Sequence, residues 1–214
     1  MNLQIVPSII AKNQSELNRR IKKVTGLSKT LHLDVMDGIF VKNTSLLFDF
    51  KLPKNIKFQA HLMVDNPLEW VEKNYSKIDS IVIHRESFKS VKDLKKSIKF
   101  VKRKKKSIGI AINPNTSLRK IYRILPYVDF VLIMTVLPGR YGSKFLPSTL
   151  KKISKLRHKN PSIKIGIDGG VSDKTANNFK EFQIDFFVIG SYFQKNRKPA
   201  NALKSFQKLL KSTD

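Results

Sequence analysis

Two hydrophobic periods take turns along this chain. Short runs that either alternate apolar with polar residues or are wholly aliphatic predict strands at 3–8, 31–35, 58–63, 80–84, 108–112, 130–134, 164–168 and 186–189. Between them the spacing changes to that of helices. A stripe of Leu17, Ile21 and Val24 predicts a helix over 14–24, and Leu94, Ile98 and Val101 predict one within 92–106. Further helices are expected at 67–75, with Pro67 in the first turn, and at 118–125, 147–158, 175–182 and 200–210. The segment 36–54 carries only a short apolar stretch at 46–50, long for a plain connection, which suggests a functional loop or a degenerate helix. Strands alternating with helical segments, without a linker or low-complexity break, predict α/β architecture: a single (β/α)8 TIM barrel as one domain over 1–214. A flavodoxin-like open sheet needs fewer strands.

One strand differs from the rest. From Leu31 to Val35 the residues alternate, so His32 and Asp34 share one face while Leu31, Leu33 and Val35 share the other, and Asp37-Gly38 then breaks the run as a turn. The wholly apolar 130–134 run predicts a strand covered on both faces, as in a parallel sheet. In such sheets chemistry gathers at the carboxyl ends of the strands.

Composition narrows the classes. With 41% apolar residues and no apolar run near bilayer length, the chain is expected to be a globular protein with no membrane partner. Its first residues lack a charged segment followed by an apolar one, so no secretory signal is expected and the cytoplasm is the expected compartment. There is no cysteine, which excludes disulfides and thiolate ligands and leaves His, Asp and Glu to hold any metal. The net charge of +26 has two readings: a lysine-rich solvated surface, or non-specific binding of nucleic acid or another polyanion, with no base-reading motif to give specificity. Either way the field favours an anionic substrate.

At the carboxyl rim of such a barrel the strand ends present Ser8, then His32 and Asp34, then His61, then Asp168. Two imidazoles and two carboxylates can hold a divalent cation with positions open for substrate oxygens. Singly, each also reads as ordinary structure: His32 with Asp34 as a hydrogen-bonded pair, His61 as a core histidine, Asp168 as a turn acid before two glycines. Asp168-Gly169-Gly170, Gly190-Ser191 and the Pro138-Gly139 loop follow the last three strands, where backbone amides often cradle a phosphate.

Pro7-Ser8, the run from His32 to Gly38, His61-Leu62-Met63, Asn113-Pro114, Met134, Pro138-Gly139, Asp168-Gly169-Gly170 and Gly190-Ser191 together resemble, in order, the motifs of the ribulose-phosphate 3-epimerases. The resemblance covers nearly the whole chain and is most specific at the histidine-aspartate stretch. It implies a barrel of the ribulose-phosphate-binding type and a reaction interconverting D-ribulose 5-phosphate and D-xylulose 5-phosphate through an ene-diolate stabilised by a metal. It further implies His32, Asp34, His61 and Asp168 as ligands of one divalent ion (Zn, Fe, Mn or Co), with Asp34 and Asp168 also serving as the acid-base pair on opposite faces of C3. Inverting one centre needs a base on one face and an acid on the other, so the titration of the two aspartates should be coupled. Ser8, His61, Met36, Met63, Met134, Gly139, Gly142, Gly169, Gly170, Gly190 and Ser191 are the implied substrate-binding residues, in a homo-oligomer acting on a phosphorylated ketopentose, and Arg140 and Tyr141 of the same loop are expected to join them. The methionines also read as ordinary core.

The chain departs from the family pattern in the loop after strand six, where Pro-Gly-Phe-Gly-Gly-Gln becomes Pro138-Gly139-Arg140-Tyr141-Gly142-Ser143. Tyr141 replaces a glycine, so if that position needs a positive φ the loop must be strained or reshaped. Lys42 stands where the family has proline, although Asn43 remains. These changes leave room for a sister 3-epimerase of a six-carbon ketose phosphate such as D-allulose 6-phosphate, and for a catalytically idle barrel that binds a polyanion.

Overall fold

The computed structural model describes residues 3–211. Eight parallel strands form the barrel: β1 (Gln4–Ile9), β2 (Thr30–Asp37), β3 (Lys57–Met63), β4 (Ser80–His84), β5 (Ser107–Ile112), β6 (Phe130–Met134), β7 (Lys164–Asp168) and β8 (Phe186–Ile189). Each pairs with its sequence neighbours, and β1 pairs with both β2 and β8, which closes the sheet on itself. The registers set Asp34 beside His61 and Met134 beside Asp168, so side chains far apart in sequence arrive at one height.

The alternation read from the sequence now has its cause. Outward-facing aliphatics such as Leu33, Ile83 and Ile133 pack under the helices in one continuous core, while Val6, Val82, Ala111, Phe130, Leu132, Met134, Phe186 and Val188 fill the barrel interior as a second. Each large aliphatic so buried stabilises the fold by about 1.5–3 kcal/mol. The lower interior is closed by Phe130 and Phe186, meeting edge to face with centroids 5.5 Å apart. They fit because their neighbours have no side chain. A Cβ at Gly109 would lie 2.2 Å from Phe130, and one at Gly166 would lie 2.1 Å from Phe186.

Helices α1 (Gln14–Val24), α2 (Pro67–Asn74), α3 (Val91–Arg103), α4 (Lys151–Lys159), α5 (Ser191–Lys195) and α6 (Pro199–Lys211) surround the strands. Asn13 and Ser90 cap α1 and α3 by accepting from the Glu16 and Asp93 amides. Leu94, Ile98 and Val101 of α3 are buried as expected, and its lysines face outward, Lys95 over the Tyr127 ring at 4.3 Å. Among the described residues no helix is long and apolar enough to cross a membrane.

Several predicted helices are shorter or tighter than the spacing suggests. The 118–125 segment forms two 3-10 turns, Leu118–Lys120 and Leu125–Tyr127, because Pro126 lacks the amide that an α-helix through Leu125 would need. The 175–182 helix is instead a 3-10 stretch, Asp173–Phe179, started by a Ser172–Thr175 capping box and carrying Asn177 and Asn178, which favour competing side-chain bonds. A 3-10 turn at Pro147–Leu150 precedes α4. The segment 36–54 is a loop, with Thr44–Ser45 bridging antiparallel to Met36 and Asp37, and is not a degenerate helix.

Candidate active site

β2 delivers His32 and Asp34, β3 delivers His61 and β7 ends on Asp168, and all four residues are buried at one spot near the carboxyl rim. One ligand atom from each lies within 4.8 Å of the others. His61 Nδ1 faces Asp34 Oδ1 at 3.2 Å and Asp168 Oδ2 at 3.3 Å. His32 Nε2 faces the same two oxygens at 3.3 and 3.8 Å. Each aspartate therefore meets both imidazoles.

The cluster fits a metal ion on its own chemistry. His32 Nδ1 is engaged by Gln59 Oε1 at 2.7 Å, while among the described residues buried His32 Nε2 finds no well-formed hydrogen bond, though it is aimed at two carboxylates. Burial alone would lower the His61 pKa, but the facing Asp168 and Asp34 carboxylates outweigh it and lift that imidazole to about 9. Burial likewise opposes ionisation of Asp34, yet His32 and His61 hold its carboxyl below the usual range. Two nitrogens and two oxygens gathered around a positive charge suit a borderline divalent cation.

Thr135, at the end of β6, fixes the chain after Asp168: its amide donates to the Asp168 carbonyl at 2.8 Å, and its hydroxyl lies 2.5 Å from the Gly169 carbonyl. Gly169 turns away at φ +102, where a Cβ would lie 2.2 Å from Val136. Gly190 has no such φ but no space either, since a Cβ would meet Ser8 Oγ at 2.5 Å and the Tyr141 ring at 2.6 Å. Backbone approaches closely here and side chains cannot.

Above the four ligands is a cavity. It is lined by Ser8, by Met36, Met63 and Met134, by Gly139, Arg140, Tyr141 and Gly142 of the loop after β6, and by Gly169, Gly170, Gly190 and Ser191, with Asp34 and Asp168 in its floor. His32 and His61, fully buried, lie below it. The loop is reshaped, not strained: its positive φ values fall on Gly139 and Gly142, and Tyr141 takes none. The Tyr141 hydroxyl is committed to backbone, donating to the Ser8 carbonyl at 2.8 Å and accepting from the Ile10 amide at 3.2 Å. Burial pushes that phenol up. Arg140 is exposed.

The sequence reading passed over Gln59, Thr135, His84 and Glu86. His84 occupies an inward strand position, as His61 does, so the alternation in β4 was the available signal. His61 Nε2 lies 2.8 Å from His84 Nε2, and His84 Nδ1 lies 3.2 Å from Glu86 Oε2. Burial, helped by the charge of His61, lowers His84 to about 4. Burial would raise Glu86, but bonds from His84, Thr116 and the Asn113 amide bring it down to about 2.

Residues 4–194 match the sequence profile of the Ribulose-phosphate 3 epimerase family. The ribulose-phosphate 3-epimerase of Bacillus subtilis is 31% identical over 212 residues, covering 92% of this chain and 96% of that protein. That of Chlamydia pneumoniae is 31% identical over 198 residues, covering 87% and 85%. Solved structures share the fold at low identity. The 3-keto-L-gulonate-6-phosphate decarboxylase of Vibrio cholerae superposes with a TM-score of 0.71 at 10% identity over 98% of both chains, and the 3-hexulose-6-phosphate synthase of Salmonella typhimurium with 0.68 at 12% over 97% and 98%. On the profile match and these relatives, the chain belongs to the ribulose-phosphate 3-epimerase family and is an epimerase.

Proposed function

We propose that the protein interconverts D-ribulose 5-phosphate and D-xylulose 5-phosphate, with the whole chain, 1–214, acting as one catalytic domain. The observation that carries the reading is the convergence of Asp34 and Asp168, from β2 and β7, on one buried pair of imidazoles beneath a methionine-lined cavity. A proton beside a carbonyl is weakly acidic, and inverting the centre that bears it needs one group to take the proton and another to return one on the opposite face. Asp34 and Asp168 fill these roles. One aspartate carboxylate takes the C3 proton, leaving an ene-diolate, and the other, protonated, delivers its proton to the far face of C3. The two aspartates exchange protonation states in each turnover, and the reverse reaction starts from the form the forward one leaves.

His32, Asp34, His61 and Asp168 would hold a divalent cation, which supplies Lewis acidity against the charge that develops on the C2 and C3 oxygens. Zinc, iron, manganese and cobalt all suit this donor set. Met36, Met63 and Met134 wall the reacting carbon off from water. Amides around Gly139, Gly142, Gly169, Gly170 and Gly190, where no Cβ blocks the backbone, and that of Ser191 receive the phosphate. In this reading the enzyme works in the cytoplasm as a homo-oligomer. Exposed Ile39 and Leu137 support self-association, and the +26 charge draws in the anionic sugar.

A second reading rests on the loop. Arg140 and Tyr141 change the wall of the cavity, which supports a six-carbon ketose phosphate as the alternative substrate. Comparing kcat/KM of the metal-loaded protein on D-ribulose 5-phosphate and D-allulose 6-phosphate decides between them. The proposal expects the pentulose to lead by tenfold or more. Equal or reversed values would move the assignment to the hexulose, and turnover of neither, with salt-sensitive DNA binding, would favour the idle barrel.

A further inference from the structure

The cluster of ligands does not end at its four members. His61 Nε2, the nitrogen facing away from the carboxylates, meets His84 Nε2 at 2.8 Å. The ring centroids are 4.9 Å apart and the planes only 20° from parallel. A centroid separation so much longer than the nitrogen contact means that the rings meet edge to edge, in line, as a hydrogen bond requires, and not face to face. One proton must lie between the two nitrogens.

The next contact decides whose it is. His84 Nδ1 is 3.2 Å from Glu86 Oε2, and a carboxylate oxygen only accepts, so Nδ1 of His84 carries a hydrogen. Its Nε2 then holds a lone pair, and the shared proton belongs to His61 Nε2. In the neutral ring that leaves the lone pair of His61 on Nδ1, the atom that faces Asp34 and Asp168. Glu86 is itself fixed: its other oxygen accepts from the Asn113 amide at 2.9 Å and from the Thr116 hydroxyl. Lys152 holds the segment that supplies these donors, giving hydrogen bonds of 2.7 to 2.9 Å to the carbonyls of Asn113, Pro114 and Thr116. The chain runs from α4 through the end of β5 to a ligand on β3.

We propose that His84 and Glu86 are positioning residues that hold His61 in its Nε2–H tautomer and so present Nδ1 to the metal. This rests on the metal reading given above. Outer partners of ligating histidines act on affinity and not only on activity, so the test is binding. The metal-free protein, His84→Phe and His84→Gln are titrated with zinc against a chelator, and His61 nitrogen shifts are read by ¹⁵N NMR in the zinc-loaded forms. Phenylalanine removes the acceptor, and zinc affinity should fall roughly 10- to 100-fold. Glutamine keeps a carboxamide oxygen at that place and should recover most of the loss. In the unsubstituted protein the shifts should show Nε2 protonated and Nδ1 bound. The proposal is overturned if a folded His84→Phe binds zinc like the parent, if glutamine rescues nothing while folded, or if zinc is found on His61 Nε2. Failure of the underlying metal reading looks different: the unsubstituted protein itself would take up no zinc, manganese or cobalt, and the proposal would fall with it.

Discussion

Metal uptake by the metal-free protein should release a proton, and the structure says how much and where in pH. His61, held between Asp168 and Asp34, has its pKa lifted from 6.5 to about 9. At pH 7.5 it is therefore mostly protonated, and a cation can occupy Nδ1 only after displacing that proton. Affinity should climb about tenfold per pH unit up to about pH 9 and then level off. The same rise stabilises the metal-free fold. Because the folded value lies above the unfolded one, the contribution is complete below pH 6.5 and is lost as pH passes through about 9, on the order of 3 kcal/mol. Isothermal titration of zinc at pH 7.5, in two buffers of different protonation enthalpy, measures the released proton, and chemical denaturation of the metal-free protein across pH 6 to 9.5 measures the stability. Zero proton release, or an affinity flat between pH 7 and 9, would refute the reasoning.

Other perturbations read different parts of the structure. Tyr141→Phe strips the hydroxyl that ties the loop after β6 to the end of β1, leaving the Ser8 carbonyl and the Ile10 amide unpaired at a cost of about 1–3 kcal/mol; the Ile10 amide should exchange hydrogen faster while distant amides do not. Gly190→Ala would drive a methyl to within 2.6 Å of the Tyr141 ring and 2.5 Å of Ser8 Oγ, so KM for the sugar phosphate should rise at least tenfold in a protein whose circular dichroism is unchanged. Gly166→Ala would push into Phe186 on the closed side of the barrel and should cost about 1–3 kcal/mol in denaturant with KM unaltered.

The strands were legible because burial on both faces writes them as aliphatic runs. Four of them, Ser80–His84, Phe130–Met134, Lys164–Asp168 and Phe186–Ile189, have the predicted ends. Helical segments were read less well. Apolar spacing near 118–125 and 175–182 fits an α-helix and a 3-10 stretch alike, and only Pro126 hinted at the tighter turn. The four clustered ligands were readable because each ends or lines an inward strand face. Gln59 and Glu86 were not, and for His84 the β4 alternation gave only its inward position, since the meaning of all three lies in which nitrogen they engage, a property of barrel closure and not of local pattern. Tyr141 was read as a possible source of strain. It turned out to be a strut, because Gly139 and Gly142 on either side absorb the positive φ values.

The central claim is that Asp34 and Asp168 move the proton at C3, and proton exchange tests it most directly. The metal-loaded protein and Asp168→Asn are incubated with D-ribulose 5-phosphate in deuterated water, with bound metal quantified in both. The account predicts deuterium at C3 together with xylulose 5-phosphate in the parent, and loss of both by about 10²- to 10⁴-fold in the variant. Deuterium entering at C3 as fast in Asp168→Asn as in the parent, at equal metal content, would contradict it.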